Sequence, residues 1–324
     1  MKKILVTGAN GFVGKHLCHV LLEQGYLVRA AVRSESSKSS SRGLTTESRE
    51  FFEYCVVGDI DSQTNWDKAL DGVDIVIHLA ARVHVMNDQV KDPLAEFRKV
   101  NVEGTKKLAE SAAAFGIKRF IYLSSIKVNG ESTDTHPFTE NDLPKPQDSY
   151  GISKLEAEQV LHNIKALQAV ILRPTLVYGL GVRANFLKLI QLVKKGLPLP
   201  LASVKNRRSM VYVGNLVSAI IACLDHPKAA RQTFLVSDGE DLSTPGLIHK
   251  IAEALKITPK LFPCPPKLLK WAVKLTGKSK LIDRLLDSLQ VDSSKIQNEL
   301  DWRPPYSVGE GLKEMIKWCC SKDD

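Results

Sequence analysis

Lys3-Ile4-Leu5-Val6-Thr7-Gly8-Ala9-Asn10-Gly11-Phe12-Val13-Gly14 is a short apolar run closed by glycines spaced GxxGxxG, and a helix-periodic stretch follows at residues 16–24. Strand, glycine turn and helix in that order predict a phosphate site. Backbone N–H groups at the helix N-terminus face an anion, and glycines let it approach closely. Gly8, Asn10, Gly11, Phe12, Val13 and Gly14 are therefore candidate binding residues for a dinucleotide. The spacing differs from the GxGxxG of the ordinary dinucleotide fingerprint.

Outward from that turn, apolar strands alternate with helical stretches: strands at residues 26–32, 51–57, 74–79, 120–123 and 169–172, helices at 93–115 and 150–167. This βαβ alternation predicts an α/β fold, a doubly wound parallel sheet with helices on both faces. The second strand ends at Arg33, where an NAD enzyme would carry an acid for the ribose 2′-hydroxyl. A cation there, with Lys38 and Arg42 in a serine-rich loop at 34–48, suits the 2′-phosphate of NADP. Gly58-Asp59-Ile60 closes the third strand, and the Asp59 carboxylate can accept from an adenine amino group. Small Ala80 and Ala81 let a cofactor pass the end of the fourth strand.

The reactive residues stand further along. Ser124-Ser125-Ile126-Lys127-Val128-Asn129-Gly130 follows the fifth strand, and Tyr150-Gly151-Ile152-Ser153-Lys154 opens the next helix. Residues four apart on a helix share a face, so Lys154 stands beside Tyr150. A cation about 5.5 Å away, at an effective dielectric of about 20, contributes roughly 3 kcal/mol, or about 2 pKa units. The spacing thus predicts a phenol with its pKa lowered into a useful range for proton transfer.

Length and composition bound the rest. The chain has 324 residues and is 44% hydrophobic, enough for a large core. Met1-Lys2-Lys3-Ile4 starts like a signal sequence, but Thr7, Gly8 and Asn10 interrupt it before an apolar core forms. No apolar run approaches the roughly 18 residues of a membrane span. Six cysteines show neither CxxC nor framework spacing, which reads as reduced thiols in a cytoplasmic protein. His16 and His19 are a helical turn apart without a third ligand, so no metal is expected. The net charge of +9 comes from scattered Lys and Arg with no nucleic-acid motif, and suits anionic substrate and cofactor better than nucleic acid.

Beyond Tyr178-Gly179 the pattern changes to short mixed pieces rich in proline, including Leu197-Pro198-Leu199-Pro200 and Asn206-Arg207-Arg208. This reads as a smaller α+β lobe closing over the sheet's carboxyl edge. The expected division is a nucleotide-binding domain at 1–178, with the chain returning to it around 209–238, and a substrate lobe at 179–208 and 239–324. Residues 266–277 and 280–289 are basic and amphipathic, and are expected to pack within that lobe.

TGANGFVG, HLAA at 78–81, Asn101-Val102-Glu103-Gly104-Thr105, SSIKVNG, YGISK, LRPTLVYG at 172–179, Asn185-Phe186, Arg208 and VDSSK…LDWRP together resemble the extended short-chain dehydrogenase/reductases that act on nucleotide sugars. The resemblance runs nearly end to end. It implies a Rossmann sheet, a cofactor reached also by Asn101 and Pro174, and a homodimer through the helices at 93–115 and 150–167. It implies Ser125 as the catalytic hydroxyl, with Ser124 in support, Tyr150 as acid/base and Lys154 as its partner on the nicotinamide ribose. Lys127, Asn185, Arg208 and Arg284 become candidate substrate contacts. Sugar 4,6-dehydratases carry Asp and Glu after the catalytic hydroxyl; Ile126 and Lys127 stand there instead, which argues against dehydration. The wording AARVHVM, SSIKVNGE and NRRSMVYVGNL is similar to a UDP-glucose 4-epimerase-like bacterial branch, some members of which reduce a UDP-4-keto-6-deoxy-HexNAc during O-antigen sugar synthesis. With Arg33, the expectation is an NADP(H)-dependent reductase of a nucleotide-linked 4-keto sugar. The alternative is a UDP-hexose or UDP-HexNAc 4-epimerase with tightly bound NAD. A non-catalytic sensor is disfavoured by the retained YxxxK pair, and a reductase of small apolar ketones by Asn185 and Arg208.

Overall fold

The computed structural model describes residues 1–37, 50–83, 92–182, 185–274, 283 and 285–321, with the side chains at 185 and 271–274 outside the description. A parallel sheet is built from β1 (Lys3–Thr7), β2 (Leu27–Val32), β3 (Phe52–Val56), β4 (Ile75–His78), β5 (Arg119–Leu123), β6 (Gln168–Pro174) and, later in the chain, β9 (Thr233–Val236). Their order is β3-β2-β1-β4-β5-β6-β9. A smaller sheet joins β7 (Leu176–Tyr178), β8 (Arg208–Tyr212) and β10 (Asp241–Leu242) in the order β10-β8-β7. The central strands are apolar on both faces because both are covered. Helix α1 (Phe12–Glu23) covers one face. The other is covered by α2 (Pro93–Arg98), which leads through a π-helical turn (Lys99–Gly104) into α3 (Thr105–Ala114), and by α4 (Ser149–Asn163). Ile4, Val6, Leu17, Leu21 and Ile77 lie in one core layer, and Leu5, Val76, Leu108, Phe120 and Leu161 in the other.

The predicted Rossmann sheet is therefore present, with two local differences. The single helix expected over 93–115 is wound in three parts. Its middle turn widens where Asn101 is buried and where Gly104 lies against Ile60, whose Cγ2 would stand 2.6 Å from a Cβ on that glycine. The helix expected to reach 167 stops at Asn163, because residues 164–167 turn so that Gln168 can pair with Arg119 and open β6.

Beyond β7 the chain forms α5 (Asn185–Lys194), then α6 (Val213–Asp225) after β8, α7 (Thr244–Ala254), α8 (Pro266–Lys274), α9 (Ser294–Leu300) and α10 (Val308–Cys320). Helix α6 packs back on α1 against the large sheet. Tyr178, Phe186, Tyr212, Ile248, Leu312 and Met315 form a separate apolar cluster. Part of the chain near 287–291 runs beside β8, pairing Arg208 with Leu289, and also meets the loop after Gly130, pairing Phe138 with Val291. The order of strands reverses between β1 and β4, and ligands of open α/β sheets bind at the carboxyl ends beside such a switch.

Candidate active site

At the carboxyl end of β1 the chain turns through Gly8, whose φ is +69°. Gly11 donates its N–H to the Gly8 carbonyl at 2.9 Å. A Cβ on Gly14 would stand 2.2 Å from that same carbonyl oxygen, so only glycine lets α1 start this close to the strand. Helix α1 is capped by Gly11 without a side-chain cap, and its first turn carries no acid. Its N–H groups and the positive end of its dipole are thus free of an internal anion. Asn10 donates through Nδ2 to the Ser37 carbonyl at 2.6 Å, while its buried Oδ1 has no partner among the described residues. Phe12 and Val13 are half-buried at the helix start. These features fit a dinucleotide pyrophosphate.

Ala80 closes the crevice from β4, its N–H bonded to Thr7 Oγ1 at 3.1 Å, and Ala81 beside it is half-buried. Thr7 also meets His78 Nδ1 at 2.6 Å, and Thr105 Oγ1 meets His78 Nε2 at 3.0 Å. Burial, helped by the Lys154 charge, pushes His78 down to about 3, so this imidazole is a neutral strut. On the outer side, Arg33 Nε binds Asp59 Oδ1 at 2.8 Å, and both side chains are more than three-quarters exposed. Ile60 packs on Gly104. Lys38 and Arg42 lie outside the described residues.

At the carboxyl end of β5, Ser125 caps a short 3₁₀ turn (Ile126–Val128) and hydrogen-bonds Tyr150. Asp148 caps α4, accepting from Gly151 N–H at 2.8 Å, and so places Tyr150 in the first turn. Lys154 is fully enclosed. Its Nζ donates to the Leu123 carbonyl at 2.7 Å and lies 4.4 Å from the centre of the Tyr122 ring and 5.9 Å from that of Tyr150. The phenol is not lowered here. Burial raises Tyr150 well above its ordinary range, Asp148 acts in the same direction, and only the bond from Ser125 opposes them. Lys154 is itself pushed down to about 7 by burial, with Glu158 opposing. Spacing alone predicted a full cation beside the tyrosine; the desolvation that comes with the fold outweighs it.

Asn101 is buried under this helix. It accepts from Arg82 N–H at 2.8 Å and donates from Nδ2 to the Arg82 carbonyl and to Ser153 Oγ, each at 3.0 Å. It therefore braces the residue next to Lys154. Pro174 is buried at the end of β6. Lys127 Nζ binds Glu131 at 3.0 Å and also Asp148. Arg208 Nη1 donates to the Asp287 carbonyl at 2.9 Å. Asn185 opens α5, but its side chain lies outside the described residues, as does Arg284.

Sequence reasoning missed Asp148, Asn129, Glu158 and Arg173. Glu158 carried a signal, since it continues the Tyr150, Lys154 stripe by one more turn of a helix face that is otherwise buried. A helix cap one residue ahead of Ser149 was legible for Asp148. Among the described residues no group of His, Cys, Asp and Glu is arranged to hold a metal, and no helix is long and apolar enough to cross a membrane.

Residues 4–237 match the sequence family described as "NAD dependent epimerase/dehydratase family". The chain is 46% identical to a UDP-glucose 4-epimerase of Vibrio cholerae, over 97% of this chain and 94% of that protein. It is 28% identical to an N-acetyl-alpha-D-glucosaminyl-diphospho-ditrans,octacis-undecaprenol 4-epimerase of Escherichia coli O157:H7, over 97% and 94%. Its fold is similar to that of the UDP-glucuronic acid 4-epimerase from Bacillus cereus in complex with NAD, with a TM-score of 0.77, 23% identity and coverage of 99% and 100%.

Proposed function

Because the chain belongs to the NAD dependent epimerase/dehydratase family, we propose that it is a nucleotide-sugar 4-epimerase acting on a UDP-hexose or UDP-HexNAc. The observation that carries this reading is the end-to-end likeness to the Vibrio cholerae UDP-glucose 4-epimerase. It favours the epimerase over the reductase expected from Arg33 and the branch resemblance.

A nicotinamide dinucleotide held by the glycine turn supplies the two-electron acceptor and donor. The protein's own residues do the rest. Tyr150 must first give up its own phenolic proton to solvent; as the phenolate it takes the proton from the sugar O4 hydroxyl and later returns it. Ser125, already bonded to Tyr150, orients that oxygen. Lys154 holds the ribose side and, when charged, favours the phenolate that Tyr150 must reach before it can act as the base. Arg208 and Asn185 grip the diphosphate, so binding energy remote from C4 positions the sugar. Dehydration lacks its acid pair: Ile126 is buried in an apolar cluster, and Lys127 is bound to two carboxylates.

The experiment is to denature the purified protein, identify the nucleotide released, and follow UDP-galactose by NMR without added cofactor. Tightly held NAD and equilibration with UDP-glucose, or the same between the HexNAc pair, are expected. A second reading, an NADP-linked reductase of a UDP-linked 4-keto sugar, is favoured by Arg33 at the β2 end. An empty site preferring NADPH, with no interconversion, would replace the epimerase by that reductase.

A further inference from the structure

Behind the reactive residues lies a set of buried charges that no catalytic step uses. Ser124 Oγ donates to Glu158 Oε1. Arg173 holds the same carboxylate from two sides, Nε to Oε1 at 3.0 Å and Nη2 to Oε2 at 2.5 Å. The remaining arm, Nη1, reaches Asn129 Oδ1 at 2.9 Å, and Asn129 Nδ2 donates to the Thr139 carbonyl at 2.9 Å. Glu158 is 2% exposed, Asn129 1% and Arg173 6%.

A buried ion pair is not a source of net stability. Desolvation offsets the attraction, and apolar side chains of similar volume commonly replace such a pair at no loss. The placement of this one is informative. Each member is close in the chain to a residue of the site: Ser124 to Ser125, Asn129 to the 3₁₀ turn, Arg173 to Pro174, and Glu158 one helical turn from Lys154. The network joins the ends of β5 and β6, the turn after Ser125 and the active-site helix. Resting on the proposed roles of Ser125, Tyr150 and Lys154, we propose that Glu158, clamped by Arg173, is a positioning residue that holds Ser124 and the Lys154 ammonium in their working arrangement.

The groups around Lys154 leave that task to Glu158. From β5 it meets the Leu123 carbonyl and the face of Tyr122; from α4, Tyr150; from β4, His78, which is neutral. Glu158 is the charge that favours the protonated amine against burial, and Arg173 lies beyond it, bound to the same carboxylate. Without Arg173 the carboxylate would be an unpaired buried charge. Without Glu158 the ammonium would keep, among the described residues, a carbonyl and ring faces.

Two variants test this. Glu158→Gln keeps shape and removes the charge. Glu158→Gln combined with Arg173→Met removes the whole pair and leaves no orphaned guanidinium. Lys154 is titrated by ¹³C-lysine NMR in the ligand-free protein, its signal identified by its loss in Lys154→Met. In Glu158→Gln its midpoint is expected to fall by about one pH unit, and by a smaller but measurable amount in the double variant, from which the more distant Arg173 charge is also gone. The double variant is expected to melt closer to the wild type than Glu158→Gln does, because it leaves no buried charge unpaired. In the epimerase assay, kcat at pH 7.5 should drop about tenfold with KM within about twofold, and the high-pH limb should move down with the NMR midpoint. An unmoved Lys154 midpoint in a folded Glu158→Gln protein overturns the proposal. So does a double variant that regains wild-type kcat and pH profile along with its stability, since the pair would then be only structural. If the wild type epimerises nothing, the functional reading fails, and the NMR titration still decides the role of Glu158.

Discussion

The two sides of the crevice are built from different materials. On the β1–β4 side the binding surface is backbone: a turn at positive φ, an uncapped helix start and glycines that admit no Cβ. On the β5–β6 side it is side chains: Ser125 and Tyr150 bond each other, and Lys154 bonds the Leu123 carbonyl. Backbone geometry is set once by residue size. Side-chain geometry needs a second layer of support, and the buried charges and Asn101 supply it. The first side should therefore fail through sterics and the second through chemistry.

The largest effect should come from Tyr150→Phe. A loss of about 10²–10⁴-fold in kcat is expected, with nucleotide affinity within about twofold and an unchanged melting temperature. A comparable loss of nucleotide affinity would mean that the two sides are not separable. Next comes Gly14→Ala. Its Cβ would meet the Gly8 carbonyl at 2.2 Å, and backbone cannot swing away as a side chain can. The expected result is at least about tenfold weaker nucleotide binding, measured by calorimetry, with a destabilisation of about 1–3 kcal/mol. Full tolerance would break the backbone account.

His78 lies where the two sides meet, and pH sharpens its part. Its folded pKa is depressed to about 3, below the ordinary value of about 6.5. Below pH 6.5 the unfolded chain binds a proton that the folded protein refuses. Stability from this group is therefore complete above about 6.5 and declines as pH falls towards 3, with a slope approaching about 1.4 kcal/mol per pH unit. Urea denaturation from pH 7 to 4 should show this component in the wild type, and His78→Asn should remove it. The smallest effect is expected from Arg33→Ala. Its guanidinium is exposed and paired with Asp59, so NAD binding should change by less than about threefold. A drop confined to NADP, read from the ratio of the two dissociation constants, would revive the NADP-linked reading.

The same contrast explains what could be read from the chain. The glycine turn was legible because a residue without a Cβ is itself the record of a close approach. Tyr150 and Lys154 were legible because helical spacing places them on one face, and Ser125 because the family resemblance picks it out at the end of a strand. The electrostatics were not, because whether a lysine lowers a phenol depends on burial of both groups, and burial comes from strands far away in sequence. Glu158 and Arg173 stand on different elements, and neither residue alone announces the other. The division between α2 and α3 was hidden as well, since the apolar pattern over 93–115 reads as one continuous helix.

That widened turn has a consequence for how the site tolerates change in length. A π-helical turn takes up extra backbone without breaking the helix, and each residue added or removed rotates the downstream helix by about 100°. The turn therefore sets the phase between two stripes. Phe97, before it, meets the Tyr150 ring edge-on, with centroids 6.2 Å apart. Leu108, Ala109 and Ala112, after it, are buried against the sheet. A one-residue deletion between 99 and 104 would turn one stripe away from its partner, so the tyrosine and the core would compete for the same helix.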